Sequence, residues 1–186
     1  TRRLLLESGL KAFEAKGYAA ATVDDIASGA GTTRTTFYLH FPSKAELIKA
    51  LIVDIYEQRV GSEVTPLVEV VATGERERIR GWLARRFELW PESMRKITAA
   101  HQAAASEPEI GEVIEGWFEG IVGEIHQALD MADRFDAESR HVRGVLAFGQ
   151  LEFLSRRWQF EGWDVDEKVA LETLTDSWCH LLCEVS

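Results

Sequence analysis

The apolar residues of this chain recur at every third or fourth position, and nowhere do they alternate with polar ones over the length of a strand. A helix repeats about every 3.6 residues and a strand every two, so the spacing predicts an all-α fold. The punctuation between the periodic segments agrees. Leu6, Leu10 and Phe13 line one face of a first helix that should stop at Gly17, just after Lys16. Thr22, with Asp25 three residues on, approximates a capping box and opens a short second helix, which the "GAG" of 29–31 breaks. Thr33 caps a third helix running to about Phe41. After Pro42, the "SKAE" of 43–46 is a full capping box that opens a fourth helix toward Arg59.

Residues 61–74, with Pro66 inside, form the best boundary between two modules, although their "LVEVV" has helical spacing. Further helices are expected over 75–90, ended by Pro91, over 92–105, and from 108 to about 132. Two more should run over 136–160, stopped by Gly162, and from Asp166 to the C-terminus. No internal repeat or low-complexity tract stands out.

An apolar content of 46% with 28% charged residues is that of a folded globular chain. No apolar run approaches the roughly 20 residues of a membrane span. The opening "TRRLLLESGLKAFEAKG" is amphipathic and acquires Glu7 early, so it does not read as a signal peptide. Cys179 and Cys183 stand one helical turn apart, which argues against a disulfide framework and fits a reducing, cytoplasmic compartment. The net charge of −10 is unevenly spread. Residues 1–48 hold Arg2, Arg3, Lys11, Lys16, Arg34 and Lys44 against Glu7, Glu14, Asp24, Asp25 and Glu46, which leaves the acid excess to the remainder. A near-neutral head on an acidic body suggests different partners for the two, with the body repelled by a nucleic acid.

Within that head, "TTRTTFYLHFPSK" (32–44) gathers four threonines, an arginine, a tyrosine, a histidine and a lysine around Phe37, Leu39 and Phe41. Two short helices joined by a glycine turn, braced by one helix before and one after, make a helix-turn-helix, whose second helix enters the DNA major groove by its N-terminal half. Here that half is Thr33, Arg34, Thr35 and Thr36. Arg34 can bridge O6 and N7 of guanine, and threonine can donate to a base or phosphate and offer its methyl to thymine. Tyr38, His40 and Lys44 can donate to phosphate oxygens, Lys44 from the first turn of the next helix. Taken singly, each of these residues has an ordinary structural use. Together, after "TVDDIASGAG", they favour a nucleic-acid face.

The segment "GLKAFEAKGYAAATVDDIASGAGTTRTTFYLHFPSKAEL" closely resembles the DNA-binding module of the tetracycline-repressor (TetR) family of bacterial transcription regulators. The resemblance rests on "LKAFEAKGY", Thr22 with "DDIASGAG", and "TFYLHFPSKAEL", and covers about the first quarter of the chain. It implies a helix-turn-helix DNA-binding domain at 1–48 and a helical bundle for ligand binding and dimerisation at 49–186. It also implies a cytoplasmic homodimer on a near-palindromic double-stranded operator, most simply a repressor, released when a small-molecule effector enters the body. By position, Thr33, Arg34, Thr35 and Thr36 would face bases and nearby phosphates; Thr22, Tyr38, His40 and Lys44 would face the backbone. Thr35 departs from the Gly or Ala of many relatives.

In the body, four of the six tryptophans lie between Trp82 and Trp158. Trp82, Phe87 and Trp90 share one helix, Trp117, Phe118 and Ile121 another, and Phe148 a third. Such residues are core by default, yet they can enclose a cavity for an apolar or aromatic effector, with His101, Gln102, His126 or Gln150 as a polar handle. The penultimate helix carries two apolar stripes, Ala147, Leu151, Leu154 and Trp158 on one side and Val142, Leu146, Gly149 and Phe153 on the other. The last carries Leu171, Leu174, Trp178, Leu181 and Val185 at heptad spacing, with Cys179, Leu182 and Cys183 beside them. Two-sided helices are central in a bundle or meet a second subunit. The expected dimer contacts are Ala147, Leu151, Leu154, Trp158, Leu174, Trp178 and Leu181.

Rival classes are weaker. No G-x-S-x-G, H-E-x-x-H or P-loop is present, so an enzyme is not expected. Cys179, His180 and Cys183 are incomplete as a zinc set, and no metal or other cofactor is expected. A regulator tuned by a protein partner, or by no ligand at all, remains the alternative.

Overall fold

In the computed structural model, residues 1–61, 65–161 and 164–183 are described, the side chains of 56–61 and 159–161 excepted. Among them the fold is all-α, with α1 (Arg2–Lys16), α2 (Val23–Gly29), α3 (Arg34–His40), α4 (Lys44–Gly61), α5 (Leu67–Thr73), α6 (Arg76–Ala104), α7 (Pro108–Met131), α8 (Ala137–Glu161) and α9 (Glu167–Leu182). Gly162 and Val185, assigned above to a helix stop and a heptad, lie outside the described residues. The "LVEVV" stretch is the helix α5, begun at Pro66 and closed by Gly74 in the left-handed conformation. The helix expected to end at Pro91 does not: α6 runs through it. Proline removes one intrahelical N–H donor and crowds the preceding turn, a cost of about 3 kcal/mol. Buried Phe87 and Met94 on either side of an exposed Pro91 offset that cost by packing.

The chain divides into two compact units, Thr1–Arg59 with Glu92–Gly116, and Val60–Pro91 with Trp117–Ser186. The first therefore draws on more than the segment 1–48, because part of α6 and α7 packs with the head. Its core holds Leu5, Phe13, Ile26, Phe37, Leu47 and Ile48, all fully buried. Two close approaches set the angles of α1. A Cβ on Gly29 would stand 2.4 Å from Ser8 Oγ, and one on Gly9 would stand 2.8 Å from a methyl of Leu47. Glycine at these positions lets α2 and α4 come in to α1. Within the same unit, Arg95 pairs with Glu14, and the buried Lys96 donates to Asp54 at 2.5 Å and Glu92 at 3.0 Å. A buried ammonium needs such partners.

The second unit is centred on Trp178, which is 0% exposed, donates from Nε1 to the Ala147 carbonyl at 2.9 Å and stacks on Trp82 with ring centroids 5.6 Å apart. Val71, Ile79, Leu83, Val122, Ile125 and Leu182 complete the packing. Arg134 holds the end of α5 by donating to the carbonyls of Val71 (2.7 Å) and Ala72 (2.8 Å). Arg76 and Arg80 tie α6 to Glu172 on α9, at 2.9 and 2.6 Å.

This core takes up several of the expected dimer contacts. Ala147, Leu151, Leu174 and Trp178 are buried inside their own unit, and Leu154, Trp158 and Leu181 pack against its core. The outward stripe of α8 is the other one: Val142, Leu146 and Phe153 are 55%, 50% and 55% exposed. Two stripes on one helix have the same spacing, and only the neighbouring helices determine which turns inward.

Candidate nucleic-acid interface and ligand pocket

The two helices of the turn, α2 and α3, are each opened by a side-chain cap. Thr22 Oγ1 accepts from the Asp25 N–H at 3.1 Å, while Asp25 accepts from the Thr22 N–H at 2.9 Å and its hydroxyl at 2.8 Å. Lys16 adds a 2.7 Å ion pair to the same carboxylate. These bonds hold the Asp25 carboxyl well below the usual range, Lys16 contributing most and Thr22 next. Both donors of Thr22 are occupied by this box, so in this arrangement it acts as a cap. The turn between α2 and α3 passes through Gly31 at φ 65°, and the Thr32 N–H closes it on the Ala27 carbonyl at 2.9 Å. Thr33 Oγ1 then accepts from the Thr36 N–H at 3.2 Å, and the two hydroxyls lie 3.1 Å apart.

Phe37 is fully buried and fixes the rotation of α3. Thr33, Arg34, Thr35, Tyr38 and His40 are exposed, with Thr36 half-buried. Arg34 is held by the neighbouring helix: its guanidinium donates to Asp24 at 3.2 Å and to the Tyr38 hydroxyl at 3.4 Å, and lies 5.6 Å from the Tyr38 ring centroid. The Tyr38 contact, with Asp24 behind it, raises its already high pKa. Lys44 is turned differently from the expectation of a free phosphate ligand. Its ammonium donates to the carbonyls of Tyr18 and Ala21, both at 2.8 Å. Burial lowers its pKa. Asp24 and Tyr18 escaped the sequence reading because their roles depend on how α1, α2 and α4 meet.

The body contains a cavity of about 270 Å³ lined by Phe87, Trp90, Pro91, Ser155, Trp158 and Glu167. Of the residues expected around a ligand, Phe87 and Trp90 are here. Trp158, assigned to the dimer, is here as well. Trp82 is stacked into the core against Trp178. Trp117, Phe118 and Phe148 form a separate cluster with centroids 5.5 and 5.2 Å apart. In that cluster the Trp117 Nε1 is buried without a hydrogen-bond partner among the described residues, and Ile121 is buried in the same unit. Gln150 is exposed and accepts from Ser177 at 2.9 Å. His101 and Gln102 are exposed residues of the other unit, and Gln102 accepts from the Tyr18 N–H at 3.2 Å. His126 stands 6.3 Å from the ring of His141. Ser155, Pro91 and Glu167 gave no sequence signal, since nothing in the spacing brings α6, α8 and the start of α9 together.

Among the described residues, no group of three or more His, Cys, Asp or Glu could hold a metal ion. Burial, and then its neighbour Cys183, pushes the Cys179 thiol up to about 11. No described helix is long and apolar enough to cross a membrane.

A capped helix-turn-helix carrying an exposed basic and hydroxylated helix, in an all-α chain, defines the class of helix-turn-helix regulators. Residues 5–51 match the sequence model of bacterial regulatory proteins of the tetR family. Those residues are a DNA-binding domain of the TetR family of helix-turn-helix regulators. It is 32% identical over 112 residues to the HTH-type transcriptional regulator EthR of Mycolicibacterium smegmatis, a match covering 60% of this chain and 51% of that protein. It is 44% identical over 57 residues to TtgR of Pseudomonas putida, covering 31% and 27%. These matches thus span about half of one relative and about a quarter of the other. A crystal structure of the regulator FadR from Bacillus subtilis, in complex with stearoyl-CoA, superposes over 100% of both chains with a TM-score of 0.70 at 16% identity, a likeness of fold.

Proposed function

We propose that the protein is a ligand-responsive repressor that grips a near-palindromic operator as a homodimer and releases it when a small, largely apolar or aromatic effector occupies the body. The observation that carries this reading is the presentation of α3, with Thr33, Arg34 and Thr35 exposed at the N-terminal end of a helix fixed by Phe37 and by the Thr33 cap. In this reading those residues and Thr36 face base edges and nearby phosphates, and Tyr38 and His40 face the backbone. Thr22 and Lys44 shape the head from behind, and the third N–H of Lys44 reaches phosphate.

The second copy would cover the outer stripe of α8, Val142, Leu146 and Phe153, an apolar surface on a helix whose opposite side is already core. A Leu146→Lys chain should sediment as a monomer with unchanged helix content; a persistent dimer would place the interface elsewhere. The effector would enter the cavity beside Phe87 and Trp90. Both lie on α6, which further along carries Arg95 and Lys96, the partners of Glu14 and Asp54. A shift of α6 is therefore the route by which occupancy would reach the head.

The test is selection of bound fragments from the source genome, followed by titration of the recovered site at two salt concentrations. A palindromic site bound by a dimer is expected. Weak binding to every fragment, steeply dependent on salt, would count against a specific interface. If no compound of a small-molecule library raises the melting temperature, control by a protein partner becomes the better reading.

A further inference from the structure

We propose that the 270 Å³ cavity takes an organic cation, a quaternary ammonium or protonated amine carried on a small apolar group, rather than a neutral or anionic ligand. The proposal rests on the reading of this cavity as the effector site and names the chemistry of its occupant.

The walls are largely aromatic. Phe87 lies 4.7 Å from Trp90 at 35°, and 5.7 Å from Trp158 at 85°, so aromatic surfaces of different orientation border one space. An aromatic face carries a negative quadrupole, and a cation within about 6 Å of its centroid gains about 0.5–2 kcal/mol, most over tryptophan. The polar groups point the same way. Ser155 Oγ donates to the Leu151 carbonyl at 2.8 Å, so it offers the cavity an acceptor and no proton. Glu167 is the one charged group among the described lining residues, and it makes no hydrogen bond or ion pair with another described residue.

Each ligand class meets these walls differently. An anion would face a carboxylate and π-clouds with no cationic side chain, among the described lining residues, to receive it. A neutral apolar ligand would pack on the rings and draw nothing from the Glu167 carboxylate. A cation packs on the rings and neutralises the carboxylate together. Glu167 is exposed in the first turn of α9, so it can meet an arriving cation before the aromatic surfaces desolvate it. The acid excess of the chain outside the head favours the same encounter.

The experiment compares benzyltrimethylammonium with neopentylbenzene, its neutral isostere, on the full chain by tryptophan fluorescence and calorimetry. The ammonium compound should bind at least tenfold more tightly. Glu167→Gln should remove most of that difference and leave the affinity for neopentylbenzene unchanged, with the same thermal midpoint for the free protein. Equal binding of the two isosteres, unmoved by Glu167→Gln, would overturn the cation preference while leaving the cavity a ligand site. Binding of neither probe, with Trp158→Leu changing no signal, would overturn the reading of the cavity and the inference with it.

Discussion

The ammonium of Lys44 lies 4.5 Å from the ring centroid of Tyr18 and donates to that residue's carbonyl oxygen at 2.8 Å. A second bond of the same length goes to Ala21, so one side chain at the start of α4 gathers in the turn between α1 and α2. Tyr18 is itself buried; burial and then Glu107 raise its phenol pKa, and its hydroxyl donates to Glu107 at 3.3 Å. Lys44→Ala should therefore lower stability by about 1.5–3 kcal/mol, the range for hydrogen bonds to charged groups. Urea unfolding reads this directly. An unchanged midpoint, together with a shallower salt dependence of DNA binding, would mean that the ammonium serves phosphate alone.

The contact between Ser8 and Gly29 supports a sharper experiment. Ser8 Oγ donates to the Ile26 carbonyl at 2.8 Å while occupying the space that a Cβ on Gly29 would need. Gly29→Ala should cost about 1–3 kcal/mol, the price of overpacking a close helix contact. Ser8→Ala leaves a Cβ 3.6 Å from that position, an ordinary contact, so the double variant should recover much of the loss. Strict additivity in the cycle would rule out the clash as the cause.

Much of the head was legible because its punctuation is local. Thr22, Asp25, Thr33 and Ser43 act on N–H groups within three residues, so caps could be read from adjacent letters. The same locality allowed α3 to be placed and its outward residues named. What stayed hidden depends on partners far along the chain: Lys44 with Tyr18, Arg34 with Asp24, and Trp158 with Phe87. Pro91 misled for a related reason, because the penalty of an interior proline is local whereas the packing that offsets it is not. On α8 the pattern gave two equivalent faces, and the choice between them belonged to Trp178 and Ala147.

Asp25 sets a pH dependence. Its folded pKa is depressed by Lys16 and by both donors of Thr22. A carboxylate held below its unfolded value, about 3.9, contributes stability that is fully present above that value and is lost as the pH falls toward the folded one. Asp25→Asn removes the titration as well as the ion pair. The variant should be the less stable protein at neutral pH, and its curve should converge on that of the parent in acid. Denaturant midpoints between about pH 7 and pH 2 would show this. Parallel curves would mean that the pair exerts no net pull on the folded state.

Arg34 is the last residue with two roles to separate. Without DNA its guanidinium is shared between Asp24 and Tyr38, on groups that are themselves well exposed. Exposed pairs of this kind are worth about 0–1 kcal/mol, so a guanine edge offering two acceptors can take the side chain over. Arg34→Ala should relax preference at one base pair in each half-site, costing about 1–3 kcal/mol there, and an equal loss on every sequence would reduce the residue to a phosphate contact. Asp24→Asn separates the alternatives from the other side. It replaces the competing carboxylate by a neutral, weaker amide acceptor and removes one negative charge beside the groove, so affinity should rise while the preferred base stays the same. If affinity instead falls and the preference at that base pair weakens, Asp24 is positioning Arg34 for readout rather than holding it back.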